Sequence, residues 1–424
     1  MPLVYHSWGG GKIHLRRLLT WLVLLLATWG VLEIAVTALR RSARHAQLAG
    51  DPTLGCTPDG EGQWAIGVFR GHNPFHLKPL EQLQGALAAE AFGIGGADSS
   101  TEAPPSNPVL TCASVTDVES GFVADPFLWP SKDKSNTIHM FYETKSLLIN
   151  KGEIGAAVSV DGGATFKHLG VVLGEPWHLS YPFVFEDEGH MYMVPEGSNS
   201  GVLTLYRAMD FPLKWVKEKV LIDAPLIDAS PFKWNGRWFL FASNRREKSS
   251  KNCRELEVWH SDTLMGEWTR HPMSPWTRYP MSPVRAWLQG ARMAGRPIVH
   301  NGSLYRFGQD CAHTYGHRIR AFRVTKLDTE NYAEEEVEFS FGGSDKLRPG
   351  IDWNGQRYHH IDAHQLPGLG WIAAMDGDRY YSDYLTWWRV QQTAVLLPLA
   401  AALTGGAAVL SVRRAGRLGA ALHW

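Results

Sequence analysis

Asp125, Glu196 and Asp228 stand in three separate segments, Ala124-Asp125-Pro126-Phe127, Val194-Pro195-Glu196-Gly197 and Ile227-Asp228-Ala229-Ser230-Pro231. Cleaving a glycosidic bond takes two carboxyl groups with separated proton affinities, one to protonate the leaving oxygen and one to activate water or attack. Carboxylates brought together from these segments could do that work. An Asp near a strand-opening Pro is also ordinary turn and capping chemistry, and Glu196 before Gly197 could simply accept backbone hydrogen bonds, so both readings stay open at each position. Tyr181, Arg292, Arg296, His360 and Asp362 lie at comparable points of neighbouring segments, and Gln309 and Asp310 end an aromatic run. The arginines would bind carboxylate, sulfate or phosphate if they reach the same place, and otherwise pair with one of the acids. Asp376-Gly377-Asp378 has the D-x-D spacing that holds a metal and a nucleotide sugar in many glycosyltransferases, but Asp-Gly is common turn chemistry. Neither a metal nor a cofactor is expected. The chain has no G-x-S-x-G, phosphate-binding glycine loop or H-E-x-x-H, which sets aside the chemistry those motifs carry.

The elements that position these residues repeat. Four times a short strand opens on proline, turns, and returns as an apolar, aromatic strand. The copies start at Asp125-Pro126, Tyr181-Pro182, Ser230-Pro231 and Arg296-Pro297, with prolines 56, 49 and 66 residues apart. The second, third and fourth turn at Glu188-Gly189, Asn235-Gly236 and Asn301-Gly302, and Asn-Gly between such runs is a strong hairpin signal. Two further strands trail each hairpin, and four strands per unit is the make-up of a propeller blade. A fifth copy, from His359-His360-Ile361-Asp362 to Trp371-Ile372-Ala373-Ala374-Met375, lacks its outer strands. Trp64-Ala65-Ile66-Gly67-Val68-Phe69-Arg70 matches the missing pattern, so the ring is expected to close by pairing chain ends, which removes an exposed sheet edge. The fold class is all-β, a five-bladed β-propeller over 64–380 with a mobile insertion at 84–107. The first residues of its inner strands point to one end of the axis. That funnel is where the candidate site should lie.

Two segments are apolar enough to span a bilayer, Leu18–Leu39 and Ala394–Val412. They predict N- and C-terminal transmembrane helices flanking the propeller, with a tail at 1–17, a stem at 40–63 and a tail at 413–424. Arg413, Arg414 and Arg417 favour cytosolic termini and a luminal propeller; an interfacial second helix, weakened by Thr404-Gly405-Gly406, is the alternative. The 42 basic and 42 acidic residues leave no electrostatic footprint for nucleic acid. Cys56, Cys112, Cys253 and Cys311 show no zinc spacing. In an oxidising lumen they would pair, with Cys56–Cys112 and Cys253–Cys311 preferred because those join neighbouring strands; four buried thiols are the alternative. One glycosylation sequon, Asn301-Gly302-Ser303, falls in a predicted hairpin turn.

Several stretches are more specific than a generic propeller. Phe122-Val123-Ala124-Asp125-Pro126-Phe127, Leu179-Ser180-Tyr181-Pro182-Phe183 with Val194-Pro195-Glu196, Leu304-Tyr305-Arg306-Phe307-Gly308-Gln309-Asp310-Cys311, His359-His360-Ile361-Asp362 and Met375-Asp376-Gly377-Asp378-Arg379 resemble the N-terminal domain of the glucosamine inositolphosphorylceramide transferases. The resemblance covers roughly Trp64 to Arg379. It implies a Golgi membrane protein acting in glycosylation of inositolphosphorylceramide sphingolipids, with a domain related to the five-bladed fold of glycoside hydrolase families 43 and 32. Family members that transfer sugar carry a separate glycosyltransferase domain, and only 12 residues follow the second span here. The expected function is therefore glycan or glycolipid binding, or an accessory role beside a separate glycosyltransferase. The hydrolase resemblance implies the alternative, with Asp125 as base, Glu196 as acid and Asp228 as modulator. Tyr181, Arg292, Arg296, Gln309, Asp310, His360 and Asp362 are the expected substrate-binding residues.

Overall fold

In the computed structural model, residues 17–32, 34–35, 61–83, 105–132, 136–245, 255–273, 288–348 and 351–379 are described. Five sheets make up the propeller, antiparallel throughout except for one outer pairing in the fifth. Blade one is Ser120–Pro130, Ile138–Ser146, Lys151–Ser159 and Lys167–Leu173, and blade two is Ser180–Asp187, His190–Glu196, Leu203–Asp210 and Lys214–Ile222. Blade three ends in a strand of only two residues, Thr269–Arg270, after Leu226–Trp234, Arg237–Asn244 and Glu257–Ser261. The inner strand of blade four is broken into Gln289–Met293 and Ile298–His300, both paired with Ser303–Asp310 and followed by Arg318–Leu327 and Tyr332–Val337.

Blade five closes the ring as the sequence suggests. Trp64–Asn73 runs antiparallel to Gly370–Asp378 in unbroken register from Trp64 opposite Asp378 to Gly71 opposite Trp371. His76–Pro79 lies outside it, and Ile361–Leu366 inside. Two strands follow Arg318–Leu327: Tyr332–Val337 completes blade four, and Ser340–Phe341 crosses to pair in parallel with His76–Pro79. That crossover covers the outer edge of the blade built from both chain ends.

Local chemistry explains the hairpins. At Glu188-Gly189, Asn235-Gly236 and Asn301-Gly302 both residues have positive φ, from 48° to 80°, the type I′ pair that matches the twist of the flanking strands. Between blades, alternate inner-strand residues interdigitate. Phe127, Phe141, Phe183, Met193, Leu240 and Phe241 form one continuous core through blades one to three, while Ile66, Val68, Met140, Ala157 and Ile372 join blade five to blade one. Each such side chain contributes roughly 1.5–3 kcal/mol on burial.

The expected insertion at 84–107 is shorter at its end. Asn107 is buried, and its amide accepts from the Val68 N–H at 2.7 Å and donates to the Val68 carbonyl at 2.8 Å. Residues 84–104 lie outside the described residues. Cys112 and Cys311 are both disulfide-bonded, which overturns the alternative of four thiols; Cys56 and Cys253, their preferred partners, lie outside the described residues. Residues 17–32 and 34–35 are helical, in a unit separate from the propeller. Among the described residues no helix is long and apolar enough to cross a membrane, so the first expected span is not established by the fold, and the second, 394–412, lies outside the described residues.

Candidate functional site

Three inner strands share one distortion. The register of blade one breaks between Ala124 and Phe127, of blade two between Ser180 and Phe183, and of blade three between Ile227 and Ser230. At each break a non-glycine residue adopts a left-handed conformation, Asp125 (φ 50°), Tyr181 (φ 45°) and Asp228 (φ 51°). Such bulges re-aim a side chain at the cost of local strain. In blade three the bulge lies three residues before Pro231, where blades one and two place it directly before the proline. Asp228, not Ser230, is therefore the counterpart of Asp125.

The bulges bring carboxylates from several blades to one end of the axis. Asp125 is buried; its Oδ2 accepts the peptide N–H of Tyr181 at 3.3 Å, and its Oδ1 lies 3.9 Å from Nε2 of His359 and 3.6 Å from Nδ1 of His360. Burial raises its carboxyl well above the usual range, His359 opposes this, and Glu143, Asp376 and Asp228 add to it. The other nitrogen of His359 is 2.7 Å from Asp376. Burial is the largest influence and acts to neutralise that imidazole, but Asp376 and Asp125 together outweigh it and raise its proton affinity. His359 thus stands between two carboxylates, stacked on Trp64 at 4.3 Å.

Asp228 is held differently. Arg292 donates to it from Nε at 2.5 Å and Nη2 at 3.2 Å, and Gln309 donates at 3.1 Å. Burial still raises its carboxyl above the usual value, against the lowering by Arg292. The guanidinium carbon of Arg292 lies 5.1 Å from the centre of the Tyr315 ring, and Tyr315 also meets His359 edge-on. Glu196 accepts from the Ser180 hydroxyl and the Ser198 N–H, each at 3.0 Å. Ser180 and Tyr181 are consecutive, so one strand start carries hydrogen bonds to both Glu196 and Asp125. Beside Asp125, Glu143 faces His178 at 3.1 Å. The Gly152 N–H points at Nδ1 of His178 at 2.9 Å, which leaves Nε2 as the nitrogen that donates to Glu143.

The structure therefore brings Asp125, Glu196, Asp228, Arg292 and Gln309 together, and assigns other contacts to the remaining expected residues. Tyr181 turns its hydroxyl inward, bonding Ser230 at 2.7 Å and accepting the Gly295 N–H at 3.0 Å. Arg296 pairs with Asp362 at 2.8 Å; Asp362 also accepts from Leu128 N–H at 2.7 Å and faces His364 at 2.9 Å. These contacts tie blades four, five and one together. Asp310 is paired with Arg320 at 2.6 Å. His360 is fully buried between Phe127 and Tyr181, and burial lowers its proton affinity to a pKa of about 4. Sequence reasoning does not pick out His359, Glu143 or His178 as site residues. For Asp376 the D-x-D and turn readings stand side by side in the sequence; it is a buried strand residue that accepts the peptide N–H groups of Asp125, His359 and His360. The strand pairing of Trp64–Asn73 with Gly370–Asp378 was the available signal.

Among the described residues, Asp125, His359 and Asp376 offer ligand atoms within 4.8 Å of one another. Asp376 already spends both oxygens on peptide N–H groups and on His359, so the cluster reads as an ion-pair chain in which the imidazole links two acids.

A family model described as "Glucosamine inositolphosphorylceramide transferase 1, N-terminal" matches residues 56–378. The chain belongs to this family. Glucosamine inositolphosphorylceramide transferase 1 of Oryza sativa subsp. japonica is 46% identical over 328 residues, covering 77% of this chain and 41% of that protein. The Arabidopsis thaliana protein of the same name is 43% identical over 335 residues, covering 78% and 41%. The chain thus spans about two fifths of the length of the curated relatives it matches. Among solved structures, the beta-1,2-mannobiose phosphorylase of Listeria innocua aligns at TM-score 0.46 and 12% identity over 69% of this chain and 98% of that one. The family 117 glycoside hydrolase Zg3597 of Zobellia galactanivorans aligns at 0.40 and 14%, over 62% and 88%. At these values neither carries an argument about chemistry here.

Proposed function

We propose that this chain is a membrane-anchored propeller module, luminal in the Golgi, that binds the sugar headgroup of glycosylated inositolphosphorylceramide and serves a glycosyltransferase domain or chain separate from it. The observation that carries this reading is the Asp228–Arg292 pair at 2.5 Å, fixed from behind by Gln309 and covered by Tyr315. A polar pair that is already satisfied and rigid beside a partly exposed aromatic ring is built to orient a polyol. The choice of lipid class is suggested by the name of the family. The test is saturation-transfer NMR of the full chain in lipid nanodiscs with a soluble glucosaminyl-inositol phosphate. Transfer to the sugar protons is expected from wild type and is lost in Arg292→Met; no transfer from wild type would sink the reading.

One observation favours a second reading, a glycoside hydrolase using Asp125, Glu196 and Asp228. Burial raises the Asp125 carboxyl, which suits a general acid rather than the expected base, while one strand start carries hydrogen bonds to both Asp125 and Glu196. Release of free sugar from the same headgroup by wild type, abolished by Asp125→Asn, would replace the binding reading with this one.

A further inference from the structure

The chain carries one Asn-x-Ser/Thr sequon, Asn301-Gly302-Ser303, and the fold places it at the tip of the hairpin between Ile298–His300 and Ser303–Asp310. Asn301 (φ 49°) and Gly302 (φ 73°) are the two central residues of a type I′ turn. The turn itself does not require Ser303. In blades two and three the same turn, Glu188-Gly189 and Asn235-Gly236, runs on into His190 and Arg237, so the hydroxyl at 303 is particular to the fourth repeat. Asn301 and Gly302 are both exposed, and a Cβ at Gly302 would meet nothing within 4 Å. Nδ2 of Asn301 lies 3.2 Å from Nε2 of His300, a contact the amide can hold with one of its two protons. Asn107 differs on both counts, being buried and bonded to the N–H and carbonyl of Val68. A branched oligosaccharide on Asn301 would therefore stand in water, with one N–H left to meet His300. It would also leave the carboxylate site open. Gly295, whose N–H meets the Tyr181 hydroxyl beside that site, lies six residues before Asn301, about 20 Å of extended chain.

We propose that Asn301 is a modification site and carries an N-linked oligosaccharide. The assignment rests on the luminal reading above, because this modification belongs to chains that enter the secretory route. In the transfer, Nδ2 of Asn301 attacks the anomeric carbon of a lipid-diphosphate-linked oligosaccharide. An N–C bond forms, the C–O bond to the diphosphate breaks with its electron pair leaving on that oxygen, and one Nδ2 proton is released. The test expresses the full chain in human cells and compares its gel mobility before and after peptide N-glycosidase F. One step to faster mobility is expected on treatment of wild type, and none in Asn301→Gln or Ser303→Ala. Adding Arg237→Ser to the Asn301→Gln chain writes the same sequon into the equivalent turn of blade three, with the loss of one exposed ion pair to Asp262. No step in wild type beside a step in that control overturns the site and leaves the luminal reading standing. No step in either overturns the luminal reading, and the site with it.

Discussion

Replacing Arg292 by Met isolates what holds Asp228 in place. The carboxylate is 1% exposed and accepts three N–H groups, two from Arg292 and one from Gln309. Removing one partner of a buried ion pair costs about 3–5 kcal/mol, because it strands the other charge. Gln309 stays, and Asp228 can take up a proton, so the lower end, about 3 kcal/mol, is expected near neutral pH. The sign of the pH dependence follows from the raised proton affinity. Asp228 binds its proton more tightly folded than unfolded, so its contribution to stability falls as pH rises above the unfolded value of about 3.9. Without Arg292 the folded affinity rises further and the fall continues to higher pH. The deficit of the variant is therefore smallest at about pH 3 and below, where the carboxyl is largely protonated even unfolded, and widens toward neutrality. Thermal melts followed by tryptophan fluorescence should show a loss of roughly 5 °C at neutral pH for a domain of this size, and less than half of that in acid. Adding Asp228→Asn should recover most of it, a coupling of about 2 kcal/mol. A deficit that is independent of pH and untouched by Asp228→Asn would refute the reasoning, and would mean that Arg292 acts by packing against Tyr315.

Tyr181→Phe removes the hydroxyl that accepts the Gly295 N–H and bonds Ser230; with that peptide N–H left unpaired, urea denaturation should show a loss of about 1–3 kcal/mol, and an unchanged midpoint would count against the bond. Reduction of the disulfides that hold Cys112 and Cys311 should lower stability by about 2–5 kcal/mol for each bond, read as a drop in melting temperature with reductant, and no drop would make those bonds incidental to the fold.

The hairpin turns, the blade count and the closure by chain ends were legible because each rests on local chemistry: Asn-Gly at a tight turn, alternation within a strand, an orphan strand pattern before the first blade. The site was legible only in part. Asp125 and Asp228 could be placed near the axis from their prolines, but not their equivalence, since the bulge at Asp228 shifts the frame relative to Pro231 and no propensity marks a left-handed Asp two residues before a serine. Arg296 and Asp362 carry the charges of a binding site and do the work of a brace, which only their mutual distance reveals. His359 was hidden for the converse reason. Its importance comes from Asp376, across the same blade-five hairpin, and from Trp64 and Asp125, which are distant in sequence and meet it only once the ring has closed.

The asymmetry of the site follows from that closure. Blades one, two and three each give their bulge position a side chain, two acids and a tyrosine. In blade four Gly295 (φ 128°) lies where the inner strand is broken and bridges in parallel to Ile361 of blade five. A Cβ there would lie 1.7 Å from the Ile361 carbonyl oxygen, so the position is surrendered to joining the last two blades. Its peptide N–H caps the Tyr181 hydroxyl instead, which holds the left-handed tyrosine that in turn presents an N–H to Asp125. The cation that balances Asp228 must then come from elsewhere on blade four, and it comes from Arg292, three residues earlier, before the break. Arg292, on the segment before the interruption in the fourth repeat, is what pairs the buried acid of the third.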